Sequence, residues 1–320
     1  MDNLLNVIEK FWMSGERRKR EGHYPSDALD CRRKLYWKWS GEEETNPIDA
    51  TGFWRMNIGN SIHDKIQNDL AAVAKDDELR DAIAWEGFRV SNEVRSGAVV
   101  IDPSINGEDT FGGRWLSKPI RYRRDMIFTD SDGKLCGGEI KTKYGAGVRA
   151  MKETGLDDRQ LTQVVLYLVL DWVLAERGEF GENGGMRRYY VPMVSRDDGD
   201  RVQFVVEMVG DPPNAEFVVW RTYPSGETVR LKEYGMEVFY TAIDRMADVE
   251  VALSADEVPE RDFRVAIKNG EIRKDYQHKN VKYKSDWQCL YCGFKDKCWA
   301  AEVVEYADGN NSEIFQGGEE

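Results

Sequence analysis

The sequence predicts an α/β protein in which a mixed sheet is flanked by helices. Short strand-like runs separated by Gly, Asp and Asn recur over about 85–143 and again over 188–233. Between them lies a nearly continuous apolar stretch of helical length, 157–176. Cysteines at the two ends of the chain add a third observation, pointing to a metal site that draws on both ends.

Residues 1–40 read as helical, with Leu4, Leu5, Ile8, Phe11 and Trp12 on one face and a loop at 22–26. Ser26 or Asp27 is placed to cap the helix that carries Cys31. After a polar loop, a second helix is expected over 57–74, because Ile58, Ile62, Ile66 and Leu70 recur at four-residue spacing, with His63 beside that stripe. Strands are expected over 88–90, 99–101, 120–128 and 134–141. The helix 157–176 carries Gln160, Gln163 and Tyr167. Strands return over 188–194 and 202–209, and 217–223 pairs with 228–233 across Pro224-Ser225-Gly226, before a helix over 235–252. The expected organisation is an N-terminal helical region, 1–80, with Cys31 and His63; a core, 81–275; a cysteine segment, 276–305; and a disordered acidic tail, 306–320.

With a net charge of -13, the chain is no unspecific nucleic-acid coat, since phosphate binding draws on clustered Lys and Arg. The charge is uneven, however. Basic runs lie at 17–20, at Arg32, Arg33 and Lys34, over 114–124 and over 279–284, while acids gather at 197–200, 250–260 and in the tail. Such strips suit a protein that grips a nucleic-acid strand locally, although any one run taken alone reads more readily as a solvated face. The apolar run 161–174 is broken by Thr162, Gln163 and Asp171 and falls short of the ~20 residues of a membrane span. The N-terminus has no signal-peptide pattern, so a cytoplasmic protein with no membrane partner is expected.

Five cysteines without an export signal argue against a disulfide framework. Cys289, Cys292 and Cys298 form C-x2-C-x5-C, a metal-ligand spacing, and the natural fourth ligand is the distant Cys31. Cys136, on a strand, reads as a small hydrophobe. Zinc also accepts four thiolates, but its structural knuckles pair short units close in sequence.

The most informative segment is the pair of strands carrying Asp125 and Glu139-Ile140-Lys141, joined by the turn 130–133. On a strand, Glu139 and Lys141 share one side and Ile140 points to the core, while Asp125 faces Glu139 from the neighbouring strand. Two carboxylates converging on one hard divalent cation, with an ammonium group beside them, form a phosphodiester-cleaving site, although the hairpin taken alone equally suits a surface hairpin with ordinary charges. His63 alone reads more readily as a structural residue, and Gln163 and Tyr167 equally suit helix packing.

Taken in order, Cys31, His63, Asp125, Glu139-x-Lys141, Gln163-x3-Tyr167 and C-x2-C-x5-C resemble the RecB-like, iron-sulfur branch of the PD-(D/E)xK nuclease superfamily. The chain is most similar to the CRISPR-associated Cas-four exonucleases and AddB-type helicase-nuclease modules, with Arg124-Asp125 in place of Pro-Asp. The resemblance implies a restriction-endonuclease-like fold, its N-terminal helices and C-terminal segment clasped by a 4Fe-4S cluster on Cys31, Cys289, Cys292 and Cys298. It makes Asp125, Glu139, His63 and the Ile140 carbonyl the ligands of Mg2+ or Mn2+, with Lys141 acting on the attacking water and Gln163 and Tyr167 set against the site and the DNA backbone. Trp287, Tyr291, Phe294 and Trp299 are expected to shield the cluster; Trp37, Trp39 and Trp54 are candidates to stack on bases, although most of the ten tryptophans read more readily as core or interface residues. The expected activity is a metal-dependent exonuclease on DNA ends or single strands, working in recombination, repair or CRISPR-like adaptation beside a helicase or recombination partner. The alternative is a non-catalytic iron-sulfur DNA-binding or assembly subunit of a helicase-nuclease complex.

Overall fold

In chain order, the computed structural model begins with a 3-10 turn at Pro25–Asp27, α1 (Arg32–Ser40), α2 (Ala50–Lys75), β1 (Ala98–Ile101), β2 (Ile120–Arg123), β3 (Met126–Thr129), β4 (Leu135–Gly138) and β5 (Lys141–Lys143). Then come α3 (Gly145–Thr154), α4 (Asp158–Glu176), β6 (Arg188–Ser195), β7 (Arg201–Val209), β8 (Glu216–Thr222), β9 (Thr228–Tyr234) and α5 (Glu237–Ala255). Two hairpins, β10 (Ala266–Lys268) with β11 (Glu271–Arg273) and β12 (Asp275–His278) with β13 (Val281–Lys284), precede the single-turn α6 (Trp287–Leu290). The structure describes residues 22–76, 78, 98–101, 116–130, 134–178, 185–223, 225–268, 271–278 and 281–299. The helix expected near the N-terminus before residue 22, the strand at 88–90 and the tail 306–320 lie outside them. The chain divides into two units, one of Glu21–Leu29 and Trp54–Asp244, the other of Met1–Arg20, Asp30–Phe53 and Arg245–Glu320.

The first unit is built on a mixed sheet of order β3-β4-β6-β7-β8-β9, with β5 also pairing β6. β4 and β5 run parallel to β6, and the other neighbours are antiparallel. Parallel pairing requires a crossover, which α3 and α4 supply. α4 is apolar on nearly every face and therefore buried from Gln160 through Asp171. Asp157 caps it, its carboxylate accepting the Gln160 N–H at 2.9 Å. In β6 and β7, alternate residues are buried, so that Tyr189, Val191 and Met193 oppose Val206, Phe204 and Val202 on one core face. Edge strand β9 exposes Arg230, Lys232 and Glu233, charges that discourage further pairing.

Two expected strands are broken, each for an identifiable reason. Residues 120–128 form two strands in different sheets, β2 pairing β1 and β3 pairing β4, with a bend at Asp125. Residues 134–141 are interrupted at Glu139 and Ile140, although the register along β6 continues unchanged from Gly138↔Tyr190 to Lys141↔Met193. The Glu139 N–H donates to the Tyr190 carbonyl at 2.9 Å. The N–H that would return to the Glu139 carbonyl belongs to residue 192, a proline, which has none. Helix α3 was not anticipated, since Gly145 and Gly147 disguise its start.

In the second unit Cys31 stands at the N-cap position of α1, and the cap comes from neither Ser26 nor Asp27: Asp262 Oδ2 accepts the Arg32 N–H at 2.7 Å. Arg32 and Arg245 both pair with Asp262, and Arg32 also with Asp248. Two apolar clusters form its core, Val265, Ile267, Cys289 and Trp299 in one and Tyr36, Trp37 and Phe294 in the other. Among the described residues no helix is long and apolar enough to cross a membrane.

Candidate active site

The β3–β4 register sets Met126 opposite Gly138, so Asp125 and Glu139 flank the end of the same hairpin. Ile140 is 0% exposed and packs with Met126, Phe128 and Cys136, against Ile66 and Leu70 of α2. Glu139 and Lys141 turn the other way, as alternation requires, and the Lys141 ammonium donates to Glu139 Oε1 at 2.8 Å. Gly137 leaves room for the Tyr189 ring, which a Cβ would meet at 2.3 Å.

From α4, Gln163 bridges this pair. Its Oε1 accepts from Lys141 Nζ at 2.8 Å, and its amide donates to Glu139 Oε1 at 2.8 Å and to the Tyr167 hydroxyl at 2.6 Å. Tyr167 is hydrogen-bonded to Glu139 through Gln163; its ring stacks on Tyr122, centroids 5.1 Å apart, and packs at a tilt on Tyr189 at 5.4 Å. One turn apart on α4, the two residues meet the sheet on the same stripe.

His63 comes from α2, half-buried, with Nδ1 3.4 Å from Asp125 Oδ2. The same Asp125 oxygen accepts the Ile140 N–H at 2.8 Å. α2 approaches β5 one turn before His63, where Gly59 would place a Cβ only 3.2 Å from Thr142 Oγ1. His63, Asp125, Glu139, Ile140, Lys141, Gln163 and Tyr167 thus all lie in the first unit and share one neighbourhood.

Burial pushes the Glu139 carboxyl above the usual range, with Lys141 opposing and Asp125 reinforcing the shift. Burial also holds His63 below the ordinary imidazole value, against the pull of Glu139 and of a hydrogen bond to the Ile140 backbone. Among the described residues, Glu139 Oε2 has no hydrogen-bond partner and is buried. Leaving such an oxygen bare costs about 1–3 kcal/mol or more, and a divalent cation, which prefers oxygen donors, would relieve it. Carboxylate, carboxylate and neutral imidazole fit Mg2+ or Mn2+ in chemistry. Among the described residues no three His, Cys, Asp or Glu side chains are gathered closely enough to grip an ion as they stand.

Several supporting residues escaped the sequence reading. Gln67 donates to the Asp125 carbonyl at 3.1 Å. Arg124, the residue before Asp125, is buried in an ion pair with Asp171 on α4, and the Tyr122 and Tyr189 hydroxyls donate to the same carboxylate. A signal for this was present: Asp171 is the lone carboxylate in an apolar run, one turn beyond Tyr167.

In the second unit Cys289 is driven up to about 12, first by burial and then by the nearby thiols of Cys31, Cys292 and Cys298. Cys31, Cys292 and Cys298 thus lie within electrostatic reach of Cys289, although among the described residues they are not drawn together tightly enough to hold an ion, whereas Cys136 packs beneath the hairpin with Sγ 3.5 Å from Asp130 Oδ2. Trp299 is buried against Cys289 and Cys298, and Phe294 against Cys292 and Cys298, where shielding residues are expected. Trp287 and Tyr291 are not: they stand 56% and 76% exposed. Nor is the run Arg32-Arg33-Lys34 a free basic strip. Its cations are held by Asp248 and Asp262, by the Pro259 carbonyl, and by Asp30. Trp37 is buried and unable to stack on a base, while Trp54 is exposed at 37%.

No protein-family model matches the chain, and no curated protein matches it. One similar solved structure is titled "Crystal structure of SSO0001", aligned over 93% of this chain and 94% of that one at 15% identity with a TM-score of 0.40. A likeness of that size carries no information about the chemistry of the site.

Proposed function

We propose that the protein is a metal-dependent deoxyribonuclease of the PD-(D/E)xK type, an exonuclease on DNA ends or single strands. The observation that carries this reading is the side-chain network Lys141–Glu139–Gln163–Tyr167, in which Glu139 Oε2 is buried without a partner among the described residues, with Asp125 and His63 alongside. A bound Mg2+ or Mn2+ supplies a Lewis acid for a phosphoryl oxygen and lowers the pKa of water. Asp125, Glu139, His63 and the Ile140 carbonyl are the groups that would hold it. Gln163 fixes the Glu139 carboxylate and the Lys141 ammonium together, so that neither has to be ordered when a phosphodiester arrives. Lys141 then orients water and carries positive charge to the phosphate.

In the same proposal Cys31, Cys289, Cys292 and Cys298 hold a 4Fe-4S cluster that fastens α1 to the C-terminal segment. What supports it is the electrostatic reach of Cys31, Cys292 and Cys298 to Cys289 and the burial of Cys289, Phe294 and Trp299 in the same unit. The biological setting would be recombination, repair or CRISPR-like adaptation, with a helicase or recombination protein as partner.

The test is anaerobic purification followed by digestion of end-labelled single- and double-stranded DNA with Mg2+, Mn2+ or EDTA. Cleavage with either metal and none in EDTA is expected. A folded, metal-supplied protein that leaves both substrates intact while still binding DNA would instead mark a non-catalytic subunit.

A further inference from the structure

Arg124 and Asp171 form a buried ion pair that the proposed chemistry does not use. Asp171 is 0% exposed, and both of its oxygens are occupied. Oδ1 accepts from Arg124 Nη2 and the Tyr122 hydroxyl; Oδ2 accepts from Arg124 Nε at 3.2 Å and the Tyr189 hydroxyl at 2.8 Å. Burying two charges is costly enough that an apolar pair of similar volume would serve packing equally well. The pair needs another reason, and its position in the chain provides one.

Had β3 run straight back from Met126, alternation would have put Arg124 on the side of Met126 and Phe128, the apolar face that packs on Ile66 and Leu70. The guanidinium instead meets Asp171 on α4, and the chain bends at Asp125. Gln67 of α2 holds the Asp125 carbonyl at 3.1 Å, so the bend is tied to one helix before Asp125 and to the other after it. That bend delivers the Asp125 carboxylate to the Ile140 N–H at 2.8 Å and within 3.4 Å of His63 Nδ1.

We infer that the Arg124–Asp171 pair is the positioning device for Asp125, holding the bend that aims this carboxylate into the site. The inference rests on the reading of Asp125 as a metal ligand. Arg124 itself touches neither substrate nor metal; it acts through its neighbour, as outer partners of metal ligands commonly do.

The test is the double variant Arg124→Met with Asp171→Asn in the full chain. It removes both charges at similar volume and leaves an amide to bond the two tyrosine hydroxyls. Four quantities are read: the melting midpoint, hydrogen exchange at the Ile140 amide without metal, Mn2+ affinity by calorimetry, and kcat against KM on single-stranded DNA. Exchange at Ile140 should quicken at least ~10-fold and Mn2+ affinity should fall ~10–100-fold, with kcat falling and KM little changed. A folded variant with wild-type Ile140 exchange and wild-type Mn2+ affinity would reduce the pair to packing. Should the double variant not fold, Arg124→Lys, which keeps the charge and loses the fork, is read in the same way: faster Ile140 exchange supports the anchor and unchanged exchange overturns it. If the unaltered protein binds no Mn2+ and cuts no DNA, the nuclease reading fails, and the metal-free exchange at Ile140 still decides whether the pair holds Asp125.

Discussion

Lys141 Nζ lies 2.8 Å from Glu139 Oε1, the two side chains leaving the same side of the segment that joins β4 to β5, whose opposite side is locked by Ile140. Because the anchoring is done by Ile140, the two polar residues are free to serve chemistry. Lys141→Ala and Glu139→Ala should each abolish DNA cleavage, a loss on the order of 10³-fold or more as expected when a preorganised charge is removed. Both variants should fold, and Lys141→Ala should retain most metal and DNA binding. Wild-type cleavage by either variant in Mg2+ or Mn2+ would remove these residues from the site.

The pH dependence follows from the buried carboxylate. Burial raises the folded-state pKa of Glu139 above its ordinary value of 4.5. A raised pKa means that the folded chain binds the proton more tightly than the unfolded one. Its contribution to stability is therefore full below about 4.5 and is lost as pH rises through the folded value. Glu139→Gln should accordingly raise the melting midpoint of the metal-free protein at pH 7 and change it little at pH 4. Mn2+ should stabilise the unaltered protein more strongly as pH rises, because binding displaces the proton. Equal effects of Glu139→Gln at both pH values would show that the carboxylate is not strained by burial.

Gln163 and Tyr167 differ in how directly they touch the pair. Gln163→Leu removes both the Lys141 and the Glu139 bonds, and cleavage should drop about 100-fold, the scale of one lost preorganised contact. Tyr167→Phe keeps the ring between Tyr122 and Tyr189 and loses only the bond to Gln163, so its effect should stay within about tenfold, the value of one neutral hydrogen bond. Rates measured under single-turnover conditions separate the two, and a Tyr167→Phe loss as large as that of Gln163→Leu would place the hydroxyl on the substrate instead.

What local pattern determines was legible in the sequence. Alternation placed Glu139, Ile140 and Lys141 correctly, and helical spacing placed Gln163 and Tyr167 on one stripe of α4. What long-range contacts determine was not. The bend at Asp125 depends on Asp171, 47 residues on from Arg124. The break after Gly138 depends on Pro192 in the neighbouring strand, which no reading of 134–141 by itself contains. The run Arg32-Arg33-Lys34 looked like a strip for phosphates because its nearest sequence neighbours do not include Asp248 and Asp262, the carboxylates that occupy Arg32. Charge patterning reports sign and spacing, and the fold decides which charges are already spent.

The last prediction separates the cysteines. Without metal, burial keeps the Cys289 thiol protonated up to about 12, and burial likewise raises Cys292. Loading these sulfurs must release protons, so iron or zinc uptake by the metal-free protein should weaken as pH falls, and uptake independent of pH would count against thiolate ligation. Cys31 and the triplet at 289–298 lie far apart in sequence, and a cluster on all four closes a very long loop, with correspondingly large stabilisation. Cys31→Ser should bleach the broad visible absorption of the anaerobically purified protein and lower its melting midpoint by several degrees, the expected size for a loss of a few kcal/mol. It should also loosen α1, read as faster hydrogen exchange over 32–40. Cys136→Ser should change neither colour nor iron content, because that sulfur is turned toward Asp130 and the Lys134 carbonyl under the hairpin. Iron retained with an unchanged spectrum in Cys31→Ser, or colour lost in Cys136→Ser, would replace this ligand set with another.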